Sequence, residues 1–491
     1  MMPETTGYGR WRLYGLAAAV LIAGAAHPAA AQDAEVTWSK DIAPILQRSC
    51  QQCHRPDGGA PMSLITYEDT RPWARSIKAR TALRDKPDAM PPWYIEKNVG
   101  IQAYKGDISL SDEEITQVAD WADNGAPRGN PADAPPPLEF ADASVWTIGE
   151  PDLIVSSPTF EVGASEPDWW GPVGFVETGL PEDRYVAAVE QKEINNREPS
   201  SGGRETVGSR WVLHHMIWSA VDPNQPTGEE LAALKESDPE AYEAALAART
   251  NQGFWPVHEV GRNADYFDPK AGPRLPADSS INFYSAHLHS VGAHTTSRLD
   301  IGFKFHPRGY TPEYTNRVLL SGTKHLDVRG DLADQKIESF EVLPEHTKLT
   351  VFEPHLHAAG VRMCLDAIYT TGLVETLSCS GYNHSWVRVY PYADDAAPLL
   401  PKGTILRTTG YFDTTPGNRN VADGRNWTGL GHRSIDQMLS NIAQGNYLTE
   451  EQYAAEIAQR REVLDLQPGQ YLLGCPGCSL TGDEAAQNQQ D

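Results

Sequence analysis

Positive charge, cysteine and long apolar runs are all scarce in this 491-residue sequence, and each scarcity excludes something. Lys and Arg number 41 against 66 Asp and Glu, a formal charge of −25. So acidic a surface repels phosphate backbones and argues against nucleic-acid binding. With a mean hydropathy of −0.47 and a single long apolar run, the chain is not a multi-span membrane protein. That run, from about Leu13 to Ala26, follows Arg10 and Arg12 and precedes Ala29-Ala30-Ala31. A basic flank, a short apolar segment and an A-x-A site predict a secretory signal over 1–31, with an uncleaved anchor as the rival reading. No membrane span is expected after cleavage. The expected compartment is periplasmic or secreted, where disulfides and attached haem are both permitted. At 40% hydrophobic the chain is too apolar for disorder and too long for one core, so two or three folded units are expected.

Two of the six cysteines stand in Cys50-Gln51-Gln52-Cys53-His54. This is the c-type haem attachment pattern. Thiols one helical turn apart can bond both vinyl groups of a porphyrin while the adjacent His54 reaches the iron. One covalent haem c is therefore expected on Cys50, Cys53 and His54. The second iron ligand should come from the opposite face and later in the chain. Met90, in Met90-Pro91-Pro92-Trp93, meets that need, and a Met ligand raises the iron's potential towards that of an electron carrier. Met62 is the rival, only eight residues beyond His54. A helix is expected from Asp41 to Leu46, and a second behind the capping box Ser111-Asp112-Glu113-Glu114, running through Trp121 to a stop at Gly125. The stretch resembles the small class I cytochrome c fold. Beyond it, Asn130-Pro131-Ala132-Asp133-Ala134-Pro135-Pro136-Pro137 reads as a stiff linker.

From about Glu139 the texture changes. Short runs rich in Val, Ile, Tyr and Thr, such as Lys348–Phe352 and Ile405–Thr409, alternate with Gly, Pro and Asp turns. That is an all-β signature, favouring a sandwich over a barrel. Helical insertions are expected over 228–249 and 450–461. There is no tandem repeat and no long low-complexity tract.

Histidines cluster in this body as His214-His215-Met216, His287-Leu288-His289 and His355-Leu356-His357. Alternate strand residues share a face, so an H-x-H pair can aim two imidazoles at one metal. Adjacent His214 and His215 can do so only on a bulged or strongly twisted strand. Met216 and Met363 read as core, and His384 and His432 as outer-shell or surface residues.

Trp211–Ile217 resembles the first copper motif of the type II, ascorbate-dependent copper monooxygenases, the family of peptidylglycine α-hydroxylating and dopamine β-monooxygenases. Ala286-His287-Leu288-His289 is similar to the strand supplying that copper's third His. His355-Leu356-His357 followed by Gly360 is similar to the H-x-H of the second copper, and Gly431–Met438 to the segment with its Met ligand. The resemblance covers roughly Pro151 to Met438. It implies one copper on His214, His215 and His287, with His289 the rival for the third position, and a second, catalytic copper on His355, His357 and Met438. Imidazole suits both copper oxidation states and a thioether favours Cu(I), whereas zinc gains little from Met. It also implies two consecutive jelly-roll-like β-sandwich copper domains, each giving one copper across a solvent cleft.

The expected organisation is thus multidomain: a signal over 1–31, an N-terminal all-α class I cytochrome c domain over 36–128, a Pro-rich linker over 129–144, and copper domains over 145–310 and 311–485. The activity implied is hydroxylation of a C–H bond of a small organic substrate with O2. An external cytochrome, reductase or ascorbate-like donor would supply electrons through the haem. The competing classes are a haem and copper electron-transfer or copper-handling protein, and a zinc hydrolase or lyase on the same histidines. Two further expectations concern the remaining cysteines. Cys364 and Cys379 flank a turn at Thr371-Gly372 and face each other across a hairpin, close enough for a disulfide. Cys475-Pro476-Gly477-Cys478 reads as a local disulfide or a redox or metal pair. Where the peptide-amidating relative has a carboxylate-binding Arg before the H-x-H pair, this chain has Glu353, so the resemblance implies a neutral or amine-bearing substrate.

Overall fold

Alternating apolar and polar residues dominate the chain after residue 150, and they form antiparallel sheet. The computed structural model describes residues 35–56, 58–140, 145–197, 210–250, 255–259, 262 and 264–479; the signal expected over 1–31 lies outside the described residues. Among the described residues there are four sheets, and the paired strands within them run antiparallel.

Two of these sheets share one core. The longer strands Arg184–Asn195 and Thr295–Phe305 pair in the first, and Ser280–Leu288 and Leu213–Val221 in the second. Leu213, Met216, Trp218, Phe283, Ile301 and Phe303 fill the space between them. The buried Trp218 indole donates to Gln191 Oε1 at 2.8 Å, so its one polar atom is satisfied inside the core. The other two sheets share a second core. One contains Gly360–Ile368, Val374–Gly381 and Ile405–Phe412, and the other His346–Phe352 and Leu439–Leu448. Met363, Leu349, Phe352, Leu356 and Phe412 lie in that core, each fully buried. Cys364 faces Cys379 in the Gly360–Ile368 hairpin, and the two form a disulfide; Cys475 and Cys478 form another.

An N-terminal all-α class I cytochrome c domain, followed by two consecutive jelly-roll-like copper β-sandwiches, is not what the chain builds. The structure is mostly sheet, and the N-terminal helices are short, the longest being the 12-residue Asp112–Asp123. Nor does the N-terminal stretch stay apart from the sheets. Ile95–Gly100 is a strand paired with Val374–Gly381, and Trp93, Ile95, Ile101 and Tyr104 are buried in the core of the last two sheets. The physical reason lies in tertiary pairing. Ile-Glu-Lys-Asn-Val-Gly has no apolar alternation of its own, and only its partner strand makes it extended. What remains helical gathers on a small core of Trp38, Ile42, Leu46, Leu64, Val118 and Trp121. The Ser111 and Glu114 capping box opens the Asp112–Asp123 helix, and the helices Gly228–Ser237, Pro239–Thr250 and Glu450–Val463 occupy the two expected insertions.

Candidate metal centre

The first histidine set is made by a bulge. In the pairing of Leu213–Val221 with Ser280–Leu288, His215 faces His287 and Leu213 faces Leu288, which leaves His214 as the extra residue. A residue inserted in this way turns the strand locally, so that neighbouring side chains no longer diverge. His214, His215 and His287 consequently each offer a nitrogen within 4.8 Å of the others. Their ring centroids are 4.8 to 5.7 Å apart. His289 is not in this group; its amide donates to the Val212 carbonyl at 2.9 Å.

His287 is positioned from three sides. Its ring stacks on Trp170 at 4.5 Å, Nε2 lies 2.9 Å from Asp168 Oδ2, and Nδ1 lies 3.2 Å from Ser434 Oγ. An imidazole whose N–H is held by a carboxylate has its other nitrogen fixed as the lone-pair donor, the usual support of a metal-bound His.

The second set lies on the short strand Pro354–Leu356 and the residue after it. His355 and His357 have ring centroids 5.5 Å apart. Pro354, His355 and Leu356 pair with Asn441, Ser440 and Leu439, and the ladder stops one residue short of both His357 and Met438. Met438, eighty-one residues after His357 in sequence, is the chain neighbour of the Leu439 that pairs with Leu356.

The two sets meet. His384, in the turn after the strand Val374–Gly381, places its ring 5.2 Å from His214 and 6.2 Å from His357. Ser434, from the segment that carries Met438, touches His287, and Glu259 Oε1, from the strand beside His215, comes within 3.2 Å of His355 Nδ1. That last contact pairs a carboxylate with an imidazole nitrogen at ion-pair distance. One imidazole, that of His384, thus lies near a ring of each set.

Burial, with the neighbouring imidazoles adding to it, lowers the pKa of His214 and of His357 to about 3 and that of His215 well below its ordinary value. These rings are neutral at neutral pH and offer lone pairs. His355 differs: burial would lower it, yet the Glu259 and Glu353 carboxylates raise it above its ordinary value. The Nδ1 atoms of His214, His357 and His384 are shielded from water and have no hydrogen-bond partner among the described residues. Unpaired buried acceptors are uncommon in folded proteins, and a ligated metal ion would satisfy them, so the donor set fits copper.

Glu353 does not present a free carboxylate to a ligand. It is fully buried, and its Oε1 accepts from Arg262 Nη1 at 2.7 Å. Burial pushes its carboxyl above the ordinary range, with Glu259 and Asp265 adding to the push and Arg262 opposing it. The expectation of an amine-bearing substrate loses its basis at this residue.

At the haem attachment pattern, Cys50 and Cys53 are unbridged, whereas the other four cysteines are in disulfides. The amides of Cys53 and His54 both donate to the Cys50 carbonyl, continuing the turn after the helix Ala43–Ser49. His54 Nδ1 lies 3.2 Å from the Met62 carbonyl, which leaves Nε2 as its ligand nitrogen. Met62 thus bonds His54 through its backbone, and its side chain packs on the small N-terminal core. Met90 is 42% exposed and lines a cavity of about 240 Å³ with Trp93, Leu110 and Ile115. The unpaired thiols and the oriented His54 fit a covalently held haem, whereas the cavity at Met90 is lined by none of Cys50, Cys53 and His54.

Sequence reasoning missed Asp168 and Glu259, and it read His384 only as an outer-shell or surface residue. None has an H-x-H partner or a motif spacing, so only the fold brings them to the site.

No family profile and no curated protein matches the chain. Among solved structures, the infectious bursal disease virus Gx strain structure aligns at 9% identity over 68% of this chain and 93% of its own, with a TM-score of 0.14. The subviral particle of VP2 from the same virus aligns at 10% identity over 67% and 91%, with a TM-score of 0.13. Likenesses this slight carry no argument about fold or activity.

Proposed function

We propose that this chain is a secreted or periplasmic copper-dependent monooxygenase that hydroxylates a C–H bond of a small organic molecule with O2, fed with electrons through a haem c on Cys50, Cys53, His54 and Met90. The observation that carries the reading is the convergence of His214, His215 and His287, with the His355 and His357 pair reached through the ring of His384. Copper, when bound, would supply one-electron chemistry towards O2. The chain's own residues do the rest. Neutral imidazoles hold the ion in either oxidation state, Asp168 orients His287, and the Met438 thioether favours the reduced ion.

The haem segment is joined to this centre by protein. From Met90 the chain runs through Trp93 to Tyr94, whose amide donates to Tyr390 Oη at 3.2 Å and whose hydroxyl accepts from Asn383, the neighbour of His384, at 3.4 Å. The Arg388 guanidinium covers the Trp93 ring at 5.2 Å, and its charge is felt at the Cys53 thiol. The external donor would be a cytochrome, a reductase or an ascorbate-like reductant.

The test is substrate-dependent oxygen uptake, with the substrate found by oxygen-dependent metabolite profiling of cells with and without the protein. His355→Ala and Met438→Ala should each abolish hydroxylation and leave haem reduction intact. If both were silent while His214→Ala stopped activity, the division of roles between the two sets would be wrong. A second reading, a haem and copper electron carrier without oxygenase activity, is favoured by the contact between the two sets, which leaves them separated by a single ring. Oxygen uptake that no substrate stimulates would select it.

A further inference from the structure

Where the two pairs of sheets meet, the chain encloses a second cavity of about 280 Å³, just under the roughly 300–1,000 Å³ usual for small-molecule sites. Three parts of the chain wall it. Arg262, Asp265 and Asp268 come from the first pair of sheets, Lys348, Arg388 and Gln444 from the second, and Lys105 from the N-terminal stretch. The charges on these walls do not balance. Lys105 Nζ lies 2.6 Å from Asp394 Oδ1, Arg262 Nη2 2.8 Å from Asp265 Oδ1, and Lys348 Nζ 3.3 Å from Asp268 Oδ2. Each acid on the walls therefore has its base. Arg388 is left over: its guanidinium lies over the Trp93 ring at 5.2 Å and pairs with no carboxylate among the described residues. In a chain of formal charge −25 this is a local reversal of sign.

Hydrogen-bond donors are in excess as well. Arg388 Nε and Gln444 Nε2 are both shielded from water, with no acceptor among the described residues, and Gln444 is only 5% exposed. The place of Gln444 is fixed. It stands in the strand Leu439–Leu448, paired with Val318 on one side and Val351 on the other, and its carbonyl accepts from Thr350 Oγ1 at 3.1 Å. A glutamine retained there only for packing would have given its amide a partner.

We propose that this cavity is a binding site for a small organic carboxylate, with Arg388 as its anchor and Gln444 as a second donor. A guanidinium presents a planar fork that matches the two oxygens of a carboxylate. Val351, Pro391 and Ala397 give the carbon skeleton an apolar wall. Inorganic phosphate has no apolar part and would leave that wall uncovered, and a neutral molecule would leave the Arg388 charge unmatched. The inference needs neither of the metal sets and goes beyond the activity proposed above.

The experiment is isothermal titration calorimetry of the full haem-bearing chain with three probes: benzoate, benzamide and inorganic phosphate. Benzoate should bind saturably. Benzamide, of the same shape without the charge, and phosphate should each bind at least about tenfold more weakly. Arg388→Gln should weaken benzoate by roughly 10- to 100-fold, the contribution of a charge-assisted hydrogen bond. Arg388→Lys keeps the charge but not the fork and should fall between the two, and Gln444→Leu should show a smaller loss. If Arg388→Gln does not fold, the comparison of benzoate with benzamide on the unaltered chain decides alone. Absence of saturable benzoate binding, which is also the result if a haem propionate already holds Arg388, would overturn the assignment. So would benzamide binding as tightly as benzoate, or an affinity that Arg388→Gln or Gln444→Leu leaves unchanged.

Discussion

Replacing Arg262 by alanine tests the part of the centre that is not a ligand. Arg262 is 3% exposed and lies between two carboxylates, Glu353 at 0% and Asp265 at 12%. Its Nη1 donates to Glu353 at 2.7 Å, its Nη2 to Asp265 at 2.8 Å, and its backbone amide to the Glu259 carbonyl at 2.9 Å. Removing the guanidinium leaves Glu353 charged without a partner, or forces it to take up a proton, in a place water does not reach. Breaking a buried pair from one side costs about 3–5 kcal/mol, a large part of the roughly 5–15 kcal/mol that holds a domain together. For a unit of this size that should lower the melting temperature by on the order of 10 °C. The assay is differential scanning calorimetry of the full chain, following the transition that contains the Glu353 sheet. A second variant sharpens it. Arg262→Met with Glu353→Met removes both charges at similar volume, and most of the lost stability should return, because Asp265 is near enough to water to be hydrated. A melting temperature unchanged by Arg262→Ala, or a double variant worse than the single, would refute the reasoning.

Two further outcomes are expected. Met90→Ala should remove a Met–iron absorption signature and leave haem covalently attached at Cys50 and Cys53; an unchanged ligand spectrum would transfer the role to Met62 or another group. Glu114→Gln should keep the capping box with Ser111 but lose the 2.6 Å ion pair to Arg48, at a cost of about 0.5–1 kcal/mol after solvent screening. Because Arg48 holds the Glu114 carboxyl below its ordinary range, that stability is present above the unfolded carboxyl range and is lost as pH falls through the folded value. Equilibrium unfolding between pH 7 and pH 3 should therefore show the two proteins converging in acid, and a gap that widened in acid would contradict the assignment.

What could be read in the sequence was local. The Cys364–Cys379 pairing followed from a hairpin centred on Thr371-Gly372, where Gly372 supplies a φ of +86°. The condition under which His214 and His215 could share a metal, a bulge, was a statement about strand periodicity, and the bulge falls at His214. The limits were equally physical. Ile95–Gly100 carries Glu96, Lys97 and Asn98 in a row, with a burial pattern that never alternates, so nothing in its six residues marked a strand. Its partner lies nearly three hundred residues away. Glu353 read as a ligand-facing charge because strand spacing put it on the histidines' face; Arg262, ninety-one residues earlier, buries it instead. His384 could be read only as an outer-shell or surface residue, since a lone histidine in a turn gains meaning only from what the fold sets beside it.

The account stands most directly on metal content. Protein isolated anaerobically from its native compartment, analysed by inductively coupled plasma mass spectrometry against chain concentration, should contain two copper atoms and one iron atom per chain. The copper should be lost stepwise in His214→Ala and His355→Ala, and the iron only when Cys50 and Cys53 are replaced. Stoichiometric zinc in place of copper, or two copper atoms retained in both histidine variants, would contradict it.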